Sequence, residues 1–261
     1  MRLSPALALP LAVAAALAAC ADAPASGPQG DAEAVALVRA AQEAHGSDAL
    51  DGVPFRFTFR GDAFTAERSA RGFRYVRTTT DDQGRTVVDV LDNDGLSRTI
   101  DGETAPLPED EVGRLTTAVN SVVYFATLPA PLSDPAVQAR VLPLDTLDGT
   151  TYDRLEITFA QEGGGNDWED RYLYWIHPER RTLDFIAYTY ALAPDASGEN
   201  DTGHRFRRVI GTADAGGFRV QDYENLTADS LGTLEDYASA YASGRTRAVS
   251  EVLTENARLG D

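Results

Sequence analysis

Phe55, Phe57 and Phe59 alternate with Arg56, Thr58 and Arg60, and the same two-residue period returns along most of the chain. A strand with one face on a core and the other toward water has this period. Gly61-Asp62 turns the first run into a second, Phe64 to Ser69, and Phe73 and Tyr75 begin a third. Runs at Arg85 to Asp92 and Leu96 to Asp101 flank Asn93-Asp94-Gly95. Asp-Gly between alternating runs is a strong hairpin signal. The first half therefore reads as an antiparallel meander. Further strands are expected at about Arg140 to Leu144, Tyr152 to Gln161, Asp170 to Ile176 and Thr182 to Leu192. His204 to Ile210, Phe218 to Asn225 and a last alternating run, Val249 to Leu259, complete the set.

Helical spacing appears in three places. Asp31 is an N-cap with Glu33 in the first turn, and Val35, Val38 and Ala41 share a face with Leu37 beside it. His45 and Gly46 close that helix, the histidine as a partner of the helix dipole. Pro108 opens a second helix with Glu109, Asp110 and Glu111 in its first turn. Its apolar positions Leu115, Val119 and Val122 are expected to be buried. Pro129, Pro131 and Pro135 end it in a loop, and a short helix is expected around Thr233 to Tyr241. About a dozen antiparallel strands with three helices give an α+β class. A twisted sheet this wide tends to curl. The expectation is a large curved antiparallel sheet or half-barrel, with an N-terminal helix and a covering helix at 108–126.

Ahead of that domain lies an address. One positive charge, Arg2, precedes an apolar stretch from Ala6 to Ala19, and Leu17-Ala18-Ala19 leads into Cys20, the sole cysteine. This is the layout of a secretory signal peptide, too short for a comfortable bilayer span. The sequence therefore divides into a signal peptide over 1–19, a Pro/Gly-rich tether over 20–30 and a single domain over 31–261. The tether has a reach of roughly 20 Å. A small-small-Cys ending after leucine resembles the bacterial lipobox. That resemblance implies lipid attachment at Cys20, labelling by a palmitate analogue, and a membrane held through the anchor. Ala21, not aspartate, follows the cysteine, which by the enterobacterial sorting rule points to the outer membrane.

With Cys20 lipidated no thiol remains, so disulfides, cysteine-ligated zinc and cysteine nucleophiles are excluded. The net charge is -18 and there is no lysine. Such a field repels phosphates, and no basic stripe interleaved with aromatics appears, so no nucleic-acid partner is expected.

Several segments carry a family resemblance: VNSVVYF at 119–125, TFAQEGGG at 158–165, Tyr174-Trp175-Ile176, FIAYTY at 185–190 and Arg205-Phe206-Arg207. Together they resemble an uncharacterised family of bacterial lipoproteins, a domain of unknown function, which implies no reaction. More loosely, the order of helix, meander, helix and long aromatic strands is similar to lipoprotein carriers of the LolA/LolB type. That likeness implies a half-barrel with a helical lid over an apolar cavity.

Two stretches offer chemistry. Residues 161–170 (QEGGGNDWED) join two strands through three glycines, more than a hairpin needs, and carry Glu162, Asp167, Glu169 and Asp170. Oxygen-rich flexible loops suit Ca²⁺, so Asp167, Glu169 and Asp170 are candidate metal ligands, although the spacing matches no EF-hand. No other cofactor is expected. The second constellation is aromatic. Tyr172 and Tyr174 share one strand face and Leu173 and Trp175 the other, while Tyr188 and Tyr190 alternate in the next strand. With Phe57, Tyr75 and Tyr223 they make candidates for a cavity wall, and Arg205 and Arg207 offer forked donors to an anionic head group. Equally, aromatics are favoured in strands and fill cores.

Three functions stay open. One is a membrane-anchored envelope protein that binds an apolar or amphiphilic small molecule in a half-barrel groove. Another is a hydrolase or metal-dependent enzyme using the acidic loop at 161–170. The third is a structural or interaction module. The chain has no His-Glu-x-x-His, Gly-x-Ser-x-Gly or Ser-x-x-Lys, which weighs against an enzyme and assigns no catalytic residue.

Overall fold

A computed structural model describes residues 27–165, 168–191 and 202–260. The strand β1 (Gln29–Gly30) and helix α1 (Ala32–His45) come first. The meander follows as β2 (Phe55–Phe59), β3 (Asp62–Ser69), β4 (Gly72–Thr80), β5 (Thr86–Asp92), β6 (Gly95–Ile100) and β7 (Glu103–Thr104). Helix α2 (Glu109–Thr127) leads into β8 (Val137–Leu147), β9 (Thr150–Phe159), β10 (Tyr172–Ile176) and β11 (Leu183–Ala191). The chain ends with β12 (Thr202–Ala215), β13 (Phe218–Thr227), α3 (Asp236–Ala242), β14 (Arg247–Val252) and β15 (Glu255–Leu259).

The α+β antiparallel class is as expected, but the strands divide between two sheets that do not close into a barrel. One has eight strands in the order β1-β8-β9-β10-β11-β12-β13-β14, the other seven in the order β15-β2-β3-β4-β5-β6-β7. Among the described residues every strand pair is antiparallel except β1 with β8, where Gln29 faces Gln138. The last alternating run is two strands, β14 in the larger sheet and β15 in the smaller. Between them the Thr254 amide donates to Asp222 Oδ1 at 2.8 Å. Alternation specifies a strand but not its partner, so the period is blind to this crossing.

The larger sheet is buried on both faces. All five residues of β10 are buried. Tyr172, Tyr174 and Ile176 point into a core with α1 and Phe125 of α2. Leu173 and Trp175 point the other way, into a core with Leu234, Tyr237 and Ala240 around α3. In the seven-stranded sheet, Phe55, Phe57, Phe64 and Tyr75 pack against Val119, Val123 and Ala126 of α2. Helix α2 therefore lies between the sheets, with one flank on each. Of its three expected core positions Val119 is fully buried, while Leu115 and Val122 are half-buried. Val122 is partly open because it faces a cavity. In α1 the fully buried stripe is Ala34, Val38 and Ala41, with Val35 only half-buried.

His45 corrects the reading of α1 more sharply. It is 1% exposed, and its Nε2 accepts the Leu183 amide at 3.0 Å, so it is a neutral ring and not a dipole partner. Burial, with Arg219 adding repulsion, lowers its pKa to about 4. Gly46 next to it has φ 65°, and a Cβ there would stand 1.9 Å from the Gly217 carbonyl oxygen, so only glycine fits. The folded pKa of His45 lies below its unfolded value of 6.5. As pH falls, the unfolded chain therefore takes up a proton that the folded chain refuses. Stability is full above the unfolded value and declines below it. From pH 7 to pH 5 we expect a loss of about 2 kcal/mol in urea unfolding, absent in His45→Gln.

The seven-stranded sheet also encloses a charge. Asp89 has a fully buried side chain and accepts from Arg77 at 2.6 Å and from Arg98 at 2.6 Å. It lies opposite both arginines in the β-ladders and shares a face with Val87 and Leu91.

Candidate functional site

A cavity of about 490 Å³ opens between the two sheets along one flank of α2. Its size is that of a site for one small molecule. Strands β10 and β11 supply Tyr172, Tyr188 and Tyr190, α2 supplies Tyr124 and Phe125, and β2 supplies Phe57 and Phe59. The rings form a packed wall: Tyr172 stacks on Tyr188 at 5.6 Å, and Phe125 approaches Tyr188 at 4.9 Å. They line up because same-facing residues on neighbouring strands stand side by side, and Tyr172 is in register with Tyr188.

The charge of the cavity runs against that of the chain. The whole protein has 23 basic residues against 41 acidic. Among the described residues the cavity wall has Arg60, Arg205 and Arg207 against one carboxylate, Asp170. Arg60 and Arg205 stand toward the rim, each over a ring, Phe59 and Tyr190 respectively, at 5.0 Å. Arg205 also donates to the His204 carbonyl. Arg207 is different. It is 8% exposed, with its guanidinium carbon 3.7 Å from the centre of the Phe125 ring and 5.2 Å from that of Tyr188. Nη2 donates to the Tyr188 hydroxyl at 2.9 Å, while Nε and Nη1 have no hydrogen-bond partner among the described residues. Among the described residues no carboxylate forms an ion pair with it. A buried cation is usually paired, because an unpaired one loses its hydration for nothing. Opposite Arg207 in the ladder stands Asn225, also lining the cavity, whose Oδ1 is buried without a partner while Nδ2 faces Ser250 Oγ at 3.5 Å.

Of the residues singled out from sequence, Phe57, Tyr188, Arg205, Arg207 and Tyr223 line this cavity, and Asp170 joins them from the acidic loop. Tyr75 and Tyr174 do not. Tyr75 belongs to the core of the other sheet, against Phe73, where its hydroxyl accepts from Arg68 at 2.8 Å. Tyr174 is fully buried, its hydroxyl 2.7 Å from that of Tyr124, and burial pushes its pKa well above the usual tyrosine value. Sequence reasoning missed Phe125, Tyr124, Asn225 and Arg60. Phe125 and Tyr124 follow the apolar stripe of α2 and could have been found there. Asn225 carries no signal without the ladder that sets it beside Arg207.

In the acidic loop, Asp167 and Cys20 of the N-terminal segment lie outside the described residues. Glu169 is exposed and Asp170 half-buried. Among the described residues no three His, Cys, Asp or Glu side chains stand together as a metal site. Gly164 accounts for part of the glycine run, since a Cβ there would meet the Ala160 carbonyl oxygen at 2.3 Å. No histidine lines the cavity. His177 Nδ1 accepts the Glu179 and Arg180 amides, and His204 is bonded to the Tyr237 hydroxyl.

No curated protein matches the chain. Among solved structures, a putative outer membrane lipoprotein-sorting protein domain from Vibrio parahaemolyticus is 8% identical, with a TM-score of 0.38 over 85% of this chain and 91% of that one. A DUF1329 family protein from Desulfovibrio piger is 10% identical, with a TM-score of 0.35 over 86% and 92%. The Mycobacterium tuberculosis lipoprotein LppX is 13% identical, with a TM-score of 0.27 over 61% and 89%. These are loose likenesses of architecture. The sequence itself is more specific: residues 52–254 match the family of unknown function DUF6503, and the chain belongs to that family.

Proposed function

We propose that this protein is a lipid-anchored binding protein of the bacterial envelope, and that it holds a single-chain anionic amphiphile in the cavity between its sheets. The observation that carries this reading is Arg207, a buried cation with two unused donors in a wall of aromatic rings. Aromatic and aliphatic walls favour an apolar tail at ~25 cal/mol per Å² removed from water, less the cost of ordering the ligand. An anionic head supplies the partner that Arg207 lacks. The rim cations Arg60 and Arg205 draw an anion toward the opening, in a protein whose overall charge would repel it. A cavity of about 490 Å³ suits one chain and not several.

The test is displacement of a fluorescent fatty-acid probe by dodecyl sulfate and by dodecanol. Dodecyl sulfate should compete well below its micelle concentration and dodecanol more weakly. Failure of both sinks the proposal.

Anchoring at Cys20 is the second part of the reading, and it rests on the signal-peptide layout around that residue. Cys20→Ser should move the protein from the membrane pellet, with the outer membrane as the expected fraction, to the soluble fraction. It should also abolish labelling by a palmitate analogue. A wild type that is already soluble and unlabelled contradicts it.

A further inference from the structure

Arg207 is not the sole unsatisfied polar group at this end of the cavity. Asn225 stands directly across the β12–β13 ladder from it, 9% exposed, with Oδ1 unpaired. Its amide nitrogen is turned to Ser250 Oγ, and Ser250 is the ladder partner of Asn225 on β14. The amide is thereby oriented with its oxygen free. Three neighbouring strands thus present, side by side, two unused donors on one residue and one unused acceptor on the next. A buried acceptor without a donor is as unfavourable as an unmade hydrogen bond, so an occupant that satisfies only Arg207 leaves Asn225 Oδ1 stranded.

We infer that the site selects an anionic head group that carries its own hydrogen-bond donor, as a singly protonated phosphate monoester or a hydroxylated acid does, over an anion that only accepts. This inference rests on the proposed amphiphile site and specifies its head group. In the bound state two oxygens of the head accept from one fork of the guanidinium, the second proton of Nη2 with the adjacent Nε or Nη1, and its O–H donates to Asn225 Oδ1. An alkyl sulfate has the same shape and charge but no such proton, so it leaves the asparagine unpaired. The Phe125 ring lies over the guanidinium carbon at 3.7 Å.

The experiment compares dodecyl phosphate with dodecyl sulfate as competitors for a fluorescent fatty-acid probe on the full chain in lipid nanodiscs. It is run at about pH 5.5, where a phosphate monoester is mostly singly charged. Wild type should prefer the phosphate by about fivefold to tenfold, the worth of one hydrogen bond. Two isosteric variants then locate the effect. Asn225→Val removes the acceptor and should equalise the two probes, whereas Asn225→Thr keeps an oxygen and should retain most of the preference. Both residues suit a strand. Equal affinities in wild type, or a preference that survives in Asn225→Val, overturn the inference and leave the amphiphile site standing. Failure of both probes to compete overturns the amphiphile site itself, and this inference with it.

Discussion

Arg207→Met will weaken binding of an anionic amphiphile a few-hundredfold and will not destabilise the ligand-free protein. The two halves have opposite physical origins. Two charge-assisted hydrogen bonds to the head group are worth roughly 1.5–2 kcal/mol each, or about 3–4 kcal/mol together. Among the described residues Nε and Nη1 have no partner. Methionine has a comparable length, packs against Phe125 and Tyr188, and removes a buried charge. Replacing buried charges by apolar groups is often neutral or stabilising. The lost ring contact at 3.7 Å offsets part of that gain. The melting temperature should therefore stay level or rise while displacement by dodecyl sulfate is lost. A core arginine would behave differently: a fall in melting temperature with binding intact would show that Arg207 holds the fold and not a ligand.

Asp89→Ala will be the most destabilising of the changes considered, by about 4 kcal/mol in denaturant unfolding. Asp89 is fully buried, and both Arg77 and Arg98 are less than one fifth exposed. Removing the carboxylate leaves two partly desolvated cations facing each other under α2. The cause can be isolated. A triple variant with Asp89→Leu, Arg77→Met and Arg98→Met leaves no charge behind and should recover most of the loss. If the triple variant is as unstable as the single one, packing and not charge is responsible. The cavity is lined from other strands, so probe binding by folded Asp89→Ala should be unchanged.

Much of the strand and helix content could be read from the residues. The period-two runs gave the meander, Asn93-Asp94-Gly95 gave one of its two-residue hairpins, and the acidic start of α2 gave the covering helix. These features are local: each is set by which side chains alternate over a few residues and which turn they can form. The two faces of β10, Tyr172 and Tyr174 against Leu173 and Trp175, follow from the same alternation. What alternation cannot carry is which strand pairs with which. The antiparallel α+β fold expected from sequence, a curved sheet or half-barrel, is built as two sheets, and the chain leaves the larger one at Val252 and enters the smaller one at Glu255.

The same limit governs the site. Arg207 and Tyr188 were visible as residues, and so was the donor chemistry of an arginine. Tyr75 and Tyr174 looked equivalent to Tyr188 in sequence, yet one faces the core of the other sheet and one is sealed against Tyr124. His45 looked like a cation at a helix end and is a neutral buried ring. Composition and periodicity by themselves determined the class of fold, its helices and the kinds of side chain available for a ligand. Only the tertiary structure decided that Arg207 is buried with no ion-pair partner among the described residues and that Asn225 stands beside it. Burial and pairing depend on neighbours from strands far apart in the chain, and no local pattern encodes them.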